Sequence, residues 1–174
     1  MFRALERSMA MDDAAWQRHA NPWSVFTRFS ILPLLALAVW SREWIGAWSL
    51  AAVALVALWT WYNPRAFGPP HSTDNWASKG VMGERLFLAR KSHPVPRHHE
   101  RMALLLAALS FVGIVILVHG LAVLQFWTVT AGLVLAMATK AWFIDRMVWL
   151  YEDMSRPSAI GETTGVARGG PGGA

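Results

Sequence analysis

Residues 44–62 of the chain have the sequence WIGAWSLAAVALVALWTWY, in which no side chain is charged. An α-helix rises about 1.5 Å per residue, so roughly 20 such residues cross the 30 Å hydrocarbon core of a bilayer. This stretch therefore predicts a transmembrane helix. Its presence favours an integral membrane protein over a soluble domain.

Further apolar stretches lie on both sides of this one. Ser41, Arg42 and Glu43 leave room only for a tight turn before it, so the first two stretches are expected to form a hairpin. The last two apolar stretches are expected to form a second hairpin. The predicted fold class is thus an all-α integral membrane protein with four transmembrane helices, at about residues 25–41, 44–62, 102–122 and 127–146.

The composition agrees with a membrane protein. Hydrophobic residues make up 55% of the chain and charged residues 16%, whereas about 25% charged residues is usual in soluble domains. The formal net charge is +5, but the basic residues lie beside apolar stretches, so no nucleic acid partner is predicted. The absence of cysteine excludes disulfides, thiolate metal sites, iron–sulfur clusters and cysteine nucleophiles.

The distribution of basic residues predicts the orientation. Every lysine and arginine except Arg42 lies in the N-terminal segment, in the loop 63–101 or in the C-terminal part. Cytoplasmic segments carry an excess of these residues, so both termini and the loop are expected in the cytoplasm. The eleven tryptophans lie mostly near span ends, as in aromatic belts. The predicted location is the cell (cytoplasmic or inner) membrane.

The predicted membrane domain covers residues 21–154, with a cytoplasmic loop at 63–101 that contains an interfacial helix. Residues 1–20 carry Phe2, Leu5, Met9 and Trp16 at helical spacing, which predicts an amphipathic segment at the membrane surface. Residues 155–174 are rich in glycine, serine, threonine and proline and are expected to be disordered. The length of the segment before the first span argues against a cleaved signal peptide.

Four segments carry a resemblance to a known family: NPWSVFTRF at 21–29, NPRAFGPP at 63–70, STDNWASKGVMGER at 72–85 and KAWFIDRMVWLYEDM at 140–154. In combination they resemble an uncharacterised family of short prokaryotic membrane proteins, which is classed only as a domain of unknown function. The resemblance covers most of residues 21–154. It implies a four-helix membrane domain, and it brings no activity, cofactor or catalytic residue to this chain.

Basic residues of the loop are candidates for binding a lipid headgroup or another phosphate. Arginine grips a phosphate with two parallel hydrogen bonds, and glycines in the same segment would let the phosphate approach the backbone. The opposing interpretation is that the positive charge of the loop only sets the membrane topology and that the loop has no defined phosphate-binding site. The hypothesised site consists of Arg65, Lys79 and Arg85, together with the glycines Gly80 and Gly83. Trp76 is expected to anchor this segment at the membrane interface.

Asp145 and Arg146 lie where the fourth span is expected to leave the membrane. Trp142, Arg146 and Trp149 stand at helical spacing, so Arg146 can lie over an indole ring. Asp145 is expected to pair with a basic residue of the loop and to hold the loop against the fourth span. The alternative is a catalytic or proton-handling role for this pair.

Histidines of the loop are the candidates for metal ligands. His71, His93, His98 and His99, together with Asp74, offer nitrogen and oxygen atoms for zinc or iron. Their spacing matches no standard ligand pattern, so the opposing interpretation is a solvated loop near anionic headgroups. No cofactor is predicted.

Three functional hypotheses follow. The leading one is a non-catalytic protein that binds lipid headgroups, another membrane protein or a second copy of itself. The alternative is a small membrane-interface enzyme that acts on a lipid phosphate or through a metal bound by the loop histidines. An oligomeric channel or transporter is a third hypothesis. It is weaker than the other two because no span carries the charges at its centre that mark a transport pathway.

Overall fold

The structure, a computed structural model, describes the backbone of residues 13–156 and the side chains of residues 16–156. The predicted amphipathic segment at 1–20 falls largely outside the described residues. The tail at 155–174 lies outside them from residue 157 onward.

The described residues form helices and no strands, as the predicted all-α class requires. Eight α-helices follow one another along the chain, with one short 3₁₀ helix at Gly46–Trp48. They are α1 (Asp13–His19), α2 (Pro22–Phe29), α3 (Ile31–Trp40), α4 (Arg42–Ile45), α5 (Ser49–Ala66), α6 (Trp76–Leu88), α7 (Arg97–Val123) and α8 (Phe126–Ser155).

Three helical segments among the described residues are long and apolar enough to cross a membrane. They are Pro22–Ala66, Arg97–Val123 and Phe126–Ser155, and an 18-residue stretch within each has a mean hydropathy of 1.5, 2.6 and 1.3, respectively. The first contains both of the first two predicted spans. The chain therefore has the helical segments of a membrane protein.

The break between α2 and α3 follows from Pro33. A proline ring clashes with the carbonyl group four residues earlier, which here belongs to Phe29. The helix accordingly stops at Phe29 and restarts at Ile31, so Pro33 stands in the first turn of α3, where no intrahelical N–H is needed. At the other end of α2, Asn21 Oδ1 caps the helix by accepting the Trp23 backbone N–H at 2.9 Å.

The turn between α3 and α5 is short and is tied to the rest of the molecule. Gly46 has φ +53, a conformation that glycine adopts without steric cost. Arg42 in α4 donates from Nη2 to the carbonyl oxygens of Leu121 and Ala122, which lie at the end of α7. A cation at this position satisfies helix carbonyls that have no intrahelical partner.

Helices α7 and α8 pack as an antiparallel pair through small residues. A Cβ at Gly113 would lie 2.7 Å from the Ala136 nitrogen, and one at Gly120 would lie 2.6 Å from the Val129 nitrogen. Only hydrogen fits there, so the two backbones are in close contact. Leu124, with φ 54, ends α7 in the left-handed conformation, and α8 begins two residues later.

Several helices extend beyond the predicted spans. Helix α5 continues to Ala66, so Asn63-Pro64-Arg65 belongs to its last turn and not to the loop. The α7 helix begins at Arg97 instead of Met102, and α8 extends to Ser155. Within the loop, Asn75 caps α6 by accepting the Ser78 backbone N–H at 2.9 Å.

Candidate functional site

A small charged cavity lies where α2, α6 and α8 meet. Its volume is about 160 Å³, which is several water molecules in size. Helix α2 contributes one charged side chain to the wall, and so do α6 and α8. The charged cavity is lined by Val25, Arg28, Phe29, Gly80, Val81, Glu84, Lys140, Phe143 and Ile144.

Arg28 is held in place by its own segment of the chain. Its Nε donates to the Ser24 carbonyl oxygen at 3.0 Å, and its Nη2 donates to the His19 carbonyl oxygen at 2.7 Å. A guanidinium group has five N–H donors, so three are left over once these two are engaged. The two bonds fix the group at the wall of the charged cavity and leave donors for a ligand.

Glu84 is the acidic side chain of this cavity. Burial raises the pKa of its carboxyl above the ordinary value of 4.5, while the positive charges of Arg28 and Lys140 lower that pKa in part. Among the described residues, no ion pair within 4.0 Å joins Glu84 to either cation. The three groups therefore interact across the cavity instead of closing it.

A larger apolar crevice adjoins the charged cavity. Its volume is about 400 Å³, and its lining is mostly aliphatic. It is lined by Ile31, Leu32 and Leu35 of α3, Thr60 of α5, Ser110 and Ile114 of α7, Ala136 and Met137 of α8, and Arg28 and Lys140.

Arg28 and Lys140 belong to both spaces and stand at their boundary. The Lys140 Nζ lies 5.8 Å from the centroid of the Phe29 ring, which is within range of a cation–π interaction. A charged space and an apolar space thus share two cationic side chains.

Helix α6 is docked on α8 by two glycines. A Cβ at Gly80 would lie 2.5 Å from Ile144 Cγ2, and one at Gly83 would lie 2.6 Å from the Met147 carbonyl carbon. At Gly83 the obstacle is backbone and leaves no room for a side chain, whereas at Gly80 it is the end of a side chain; both distances show that the two helices approach each other closely. The sequence analysis considered these glycines as positions where a phosphate could approach the backbone. The structure shows that they face α8.

Two polar contacts secure the same docking. The Trp76 Nε1 donates to Asp145 Oδ1 at 3.3 Å, and the Lys79 Nζ lies 3.1 Å from Glu152 Oε1. Asp145 therefore connects the loop to α8 through an indole group, where a basic partner was expected. The ion pair between loop and α8 is made by Lys79 and Glu152.

The three basic residues of the hypothesised phosphate site lie in different surroundings. Arg65 stacks on Trp61, with its guanidinium carbon 4.1 Å from the ring centroid. Lys79 contacts Asp74 as well as Glu152, and Arg85 lies over the Trp16 ring at 5.9 Å. None of the three lines the charged cavity or the apolar crevice, and a phosphate site around them stays a prediction.

The aromatic residues near Arg146 lie on the exposed side of α8. The Arg146 guanidinium carbon is 5.4 Å from the centroid of the Trp149 ring, and Trp142 and Trp149 are both exposed. The Arg146 Nε is buried without a hydrogen-bond partner among the described residues. A cation over an indole ring keeps a charge at the helix surface at low cost.

The loop histidines separate into two groups. His98 and His99 converge with Asp153 of α8, and one ligand atom from each lies within 4.8 Å of the others. His93 contacts Ser92 instead, at 3.3 Å, and Asp74 contacts Lys79. The sequence did not single out Asp153, whose partner is 54 positions away along the chain.

Sequence reasoning also missed the charged cavity. Arg28 and Lys140 were counted only as charges that set the orientation, and no role was predicted for Glu84. The available signal was the position of both cations near the ends of apolar stretches, where an ionisable residue is a functional candidate.

Comparison with known proteins identifies a family. A family model described as "Family of unknown function (DUF6653)" matches residues 3–169 of the chain. No curated protein and no solved structure is significantly similar to the chain.

Proposed function

The chain belongs to the DUF6653 family, whose function is unknown, and we propose that it is a non-catalytic, four-span membrane protein that binds an anionic lipid. The observation that carries this proposal is the position of Arg28 and Lys140. Both side chains line the charged cavity, and both line the apolar crevice beside it. A lipid has a charged head and apolar chains in the same succession.

The charged cavity suits a phosphate headgroup. Arg28 has donors without a partner among the described residues, and a guanidinium group can bind a phosphate with two parallel hydrogen bonds. Lys140 adds a second positive charge. Glu84 carries at most one negative charge, and burial favours its neutral form, so the site attracts anions.

The apolar crevice suits an acyl chain. Its walls come from α3, α5, α7 and α8, which belong to the apolar segments of the chain. Aliphatic side chains there give a hydrocarbon chain close contacts without any loss of hydrogen bonds. Lipid binding thus uses both spaces at once, which neither a free phosphate nor a fatty alcohol would do.

Four spans follow from how the first apolar segment folds. Pro22–Ala66 has 45 residues, about twice the number needed for one crossing. It reverses direction near Gly46, and α3 and α5 pack against each other on either side of the turn. In this arrangement α2 with α3, α5, α7 and α8 are the four spans, arranged as two hairpins.

The proposed orientation places both termini and the α6 loop in the cytoplasm. Among the described lysines and arginines, Arg42 is the one at the opposite end, where it is engaged with the α7 carbonyl groups. The charged cavity, which includes α6, then faces the inner leaflet. Arg65, Lys79 and Arg85 would attract anionic lipids to this surface at about 1 kcal/mol per charge.

A second candidate function is an enzyme that acts on a lipid phosphate. The observation in its favour is Glu84, because a carboxyl whose pKa is raised can hold a proton and act as a general acid beside bound phosphate. Incubation of the purified protein with phospholipid distinguishes the two. Recovery of lipid with unchanged mass supports binding alone, and a product of altered mass supports the enzyme.

Native mass spectrometry tests the lipid site. Protein in mild detergent with phosphatidylglycerol should retain the lipid, and Arg28→Gln and Lys140→Gln should each reduce retention about 10-fold or more, because a charged hydrogen bond contributes about 1.5–3 kcal/mol. Arg101→Gln removes one exposed charge of the same sign from α7 and should change little. Equal retention in all three variants would refute the site.

Two further variants separate this site from the one hypothesised in the loop. The first is Arg28→Lys, and the second, the double loop variant, combines Arg65→Lys with Arg85→Lys. Each substitution keeps the positive charge and removes the paired N–H donors of the guanidinium group. Loss of lipid in the double loop variant, with full retention in Arg28→Lys, would move the site to the loop.

Cysteine labelling tests the topology without interference, because the chain has no native cysteine. A cysteine in place of Arg42 should react from outside intact cells. Cysteines in place of Ser92 and Ser158 should react only after the cells are permeabilised. External labelling at Ser92 would refute the orientation.

A further inference from the structure

Three metal-ligating side chains meet where the beginning of α7 approaches the end of α8. The His99 Nε2 lies 2.9 Å from Asp153 Oδ2, and the His98 and His99 rings have centroids 4.1 Å apart. One nitrogen or oxygen atom from each of the three residues lies within 4.8 Å of the others. Atoms that share a metal ion need this proximity.

The packing of α7 on α8 brings these residues together. Gly113 lies against Ala136 and Gly120 against Val129, so the two helices run antiparallel in a fixed register. When that register continues to the other end of the pair, the first turn of α7 meets the last turns of α8. The juxtaposition of His99 and Asp153 is therefore set by the helix pair and not by a mobile loop.

The surroundings of His99 resemble those of a metal ligand. Its side chain is only 3% exposed, whereas 39% of the Asp153 side chain is exposed and His98 is also exposed. Met147 and Leu150, on the same helix as Asp153, are fully buried. A ligand held rigidly by the core, beside two that reach solvent, leaves a metal ion a route in and a position for water.

We propose that His98, His99 and Asp153 form a binding site for a divalent metal of the zinc type. Two imidazole nitrogens and one carboxylate oxygen are the ligands that zinc accepts, and three protein ligands leave a fourth position for water. Asp153 also lies in the last turn of α8, where the helix dipole favours a cation. Arg156, one turn further, is the nearby positive charge that the site must tolerate.

This site is independent of the lipid site. Its residues line neither the charged cavity nor the apolar crevice. Loss of metal binding would leave the lipid proposal unaffected, and the reverse also holds.

Cobalt(II) absorption spectroscopy tests the proposal on the full chain in detergent, with any affinity tag removed. Titration with Co²⁺ should give saturable visible bands at one ion per chain, and Zn²⁺ should displace them. Asp153→Asn keeps an oxygen next to His99 and removes the charge, and it should weaken Co²⁺ binding by roughly 100-fold. His98→Asn should weaken it similarly, and this side chain is exposed, so its replacement does not disturb the core.

His71→Asn and His93→Asn are the matched controls, because both histidines precede α7 in the segment 63–101 and lie outside the cluster. They should bind Co²⁺ as the wild type does. The proposal is overturned if the wild type shows no saturable spectrum. It is also overturned if the His98 variant binds as tightly as the His93 variant, since His99 and Asp153 would then be a hydrogen-bonded pair only.

Discussion

A methyl group at Gly83 should separate α6 from α8. The Cβ of an alanine would lie 2.6 Å from the Met147 carbonyl carbon and closer still to its oxygen, whereas ordinary contacts begin at about 3.4 Å. The difference means that α6 must retreat by at least about 0.8 Å. Because the obstacle is backbone, no rotation of a side chain can relieve the contact.

The expected cost of Gly83→Ala follows from two opposing effects. Overpacking costs about 1–3 kcal/mol, and here the value should lie at the upper end because the neighbour is rigid. The greater helix propensity of alanine offsets about 1 kcal/mol of this. A net loss of about 2 kcal/mol should lower the Tm by roughly 4–8 °C for a chain of this length.

Tm measurement in detergent on a glycine series provides the assay. At Gly80 the alanine Cβ would meet the Ile144 Cγ2, a side-chain end that can move, so Gly80→Ala should be milder. At Gly68 nothing lies within 4 Å, so Gly68→Ala should leave the Tm unchanged. A Gly83→Ala protein with the Tm of Gly68→Ala would refute the close docking of α6 on α8.

Two further substitutions test other parts of the structure. Asn63 is fully buried, accepts a hydrogen bond from Ser24 Oγ at 3.2 Å and donates one to Thr27 Oγ1 at 2.6 Å. Asn63→Ala should therefore lower the free energy of unfolding, measured with a chemical denaturant, by about 1–3 kcal/mol. A change well below this range would contradict the assigned bonds. Burial raises the pKa of the Glu84 carboxyl in the folded protein above 4.5. As the pH rises, Glu84 therefore loses its proton in the unfolded state first, which favours unfolding. The stability of the wild type should fall from about pH 4.5 up to the raised pKa. The Tm of Glu84→Gln should lack this decline, and parallel pH profiles for the two proteins would show that Glu84 is not buried.

Hydropathy predicted the class of fold because the requirement is local. A helix crosses a bilayer only if its own residues are apolar, so Trp44–Tyr62 can be recognised without knowledge of any other segment. The extra turn of α5 could not be recognised in this way. Asn63-Pro64-Arg65 looks like the end of a helix, but the bonds from Asn63 to α2 hold this turn helical.

The candidate site was less accessible to sequence reasoning. Gly80 and Gly83 were recognised as positions of close approach, but their partners Ile144 and Met147 lie about sixty positions further along the chain. The same holds for the charged cavity, to which α2, α6 and α8 each contribute one charged group. Such a convergence depends on tertiary packing between distant segments, and no short sequence pattern reveals it.

The position of α5 bears on how the proposed lipid would reach its site. Thr60 of α5 and Ser110 of α7 both line the apolar crevice, and Leu55 and Leu58 of α5 are exposed. Small outward tilts of α5 would widen the crevice toward the acyl chains of the surrounding bilayer. A lipid would then move in sideways from its own leaflet, without its chains ever passing through water.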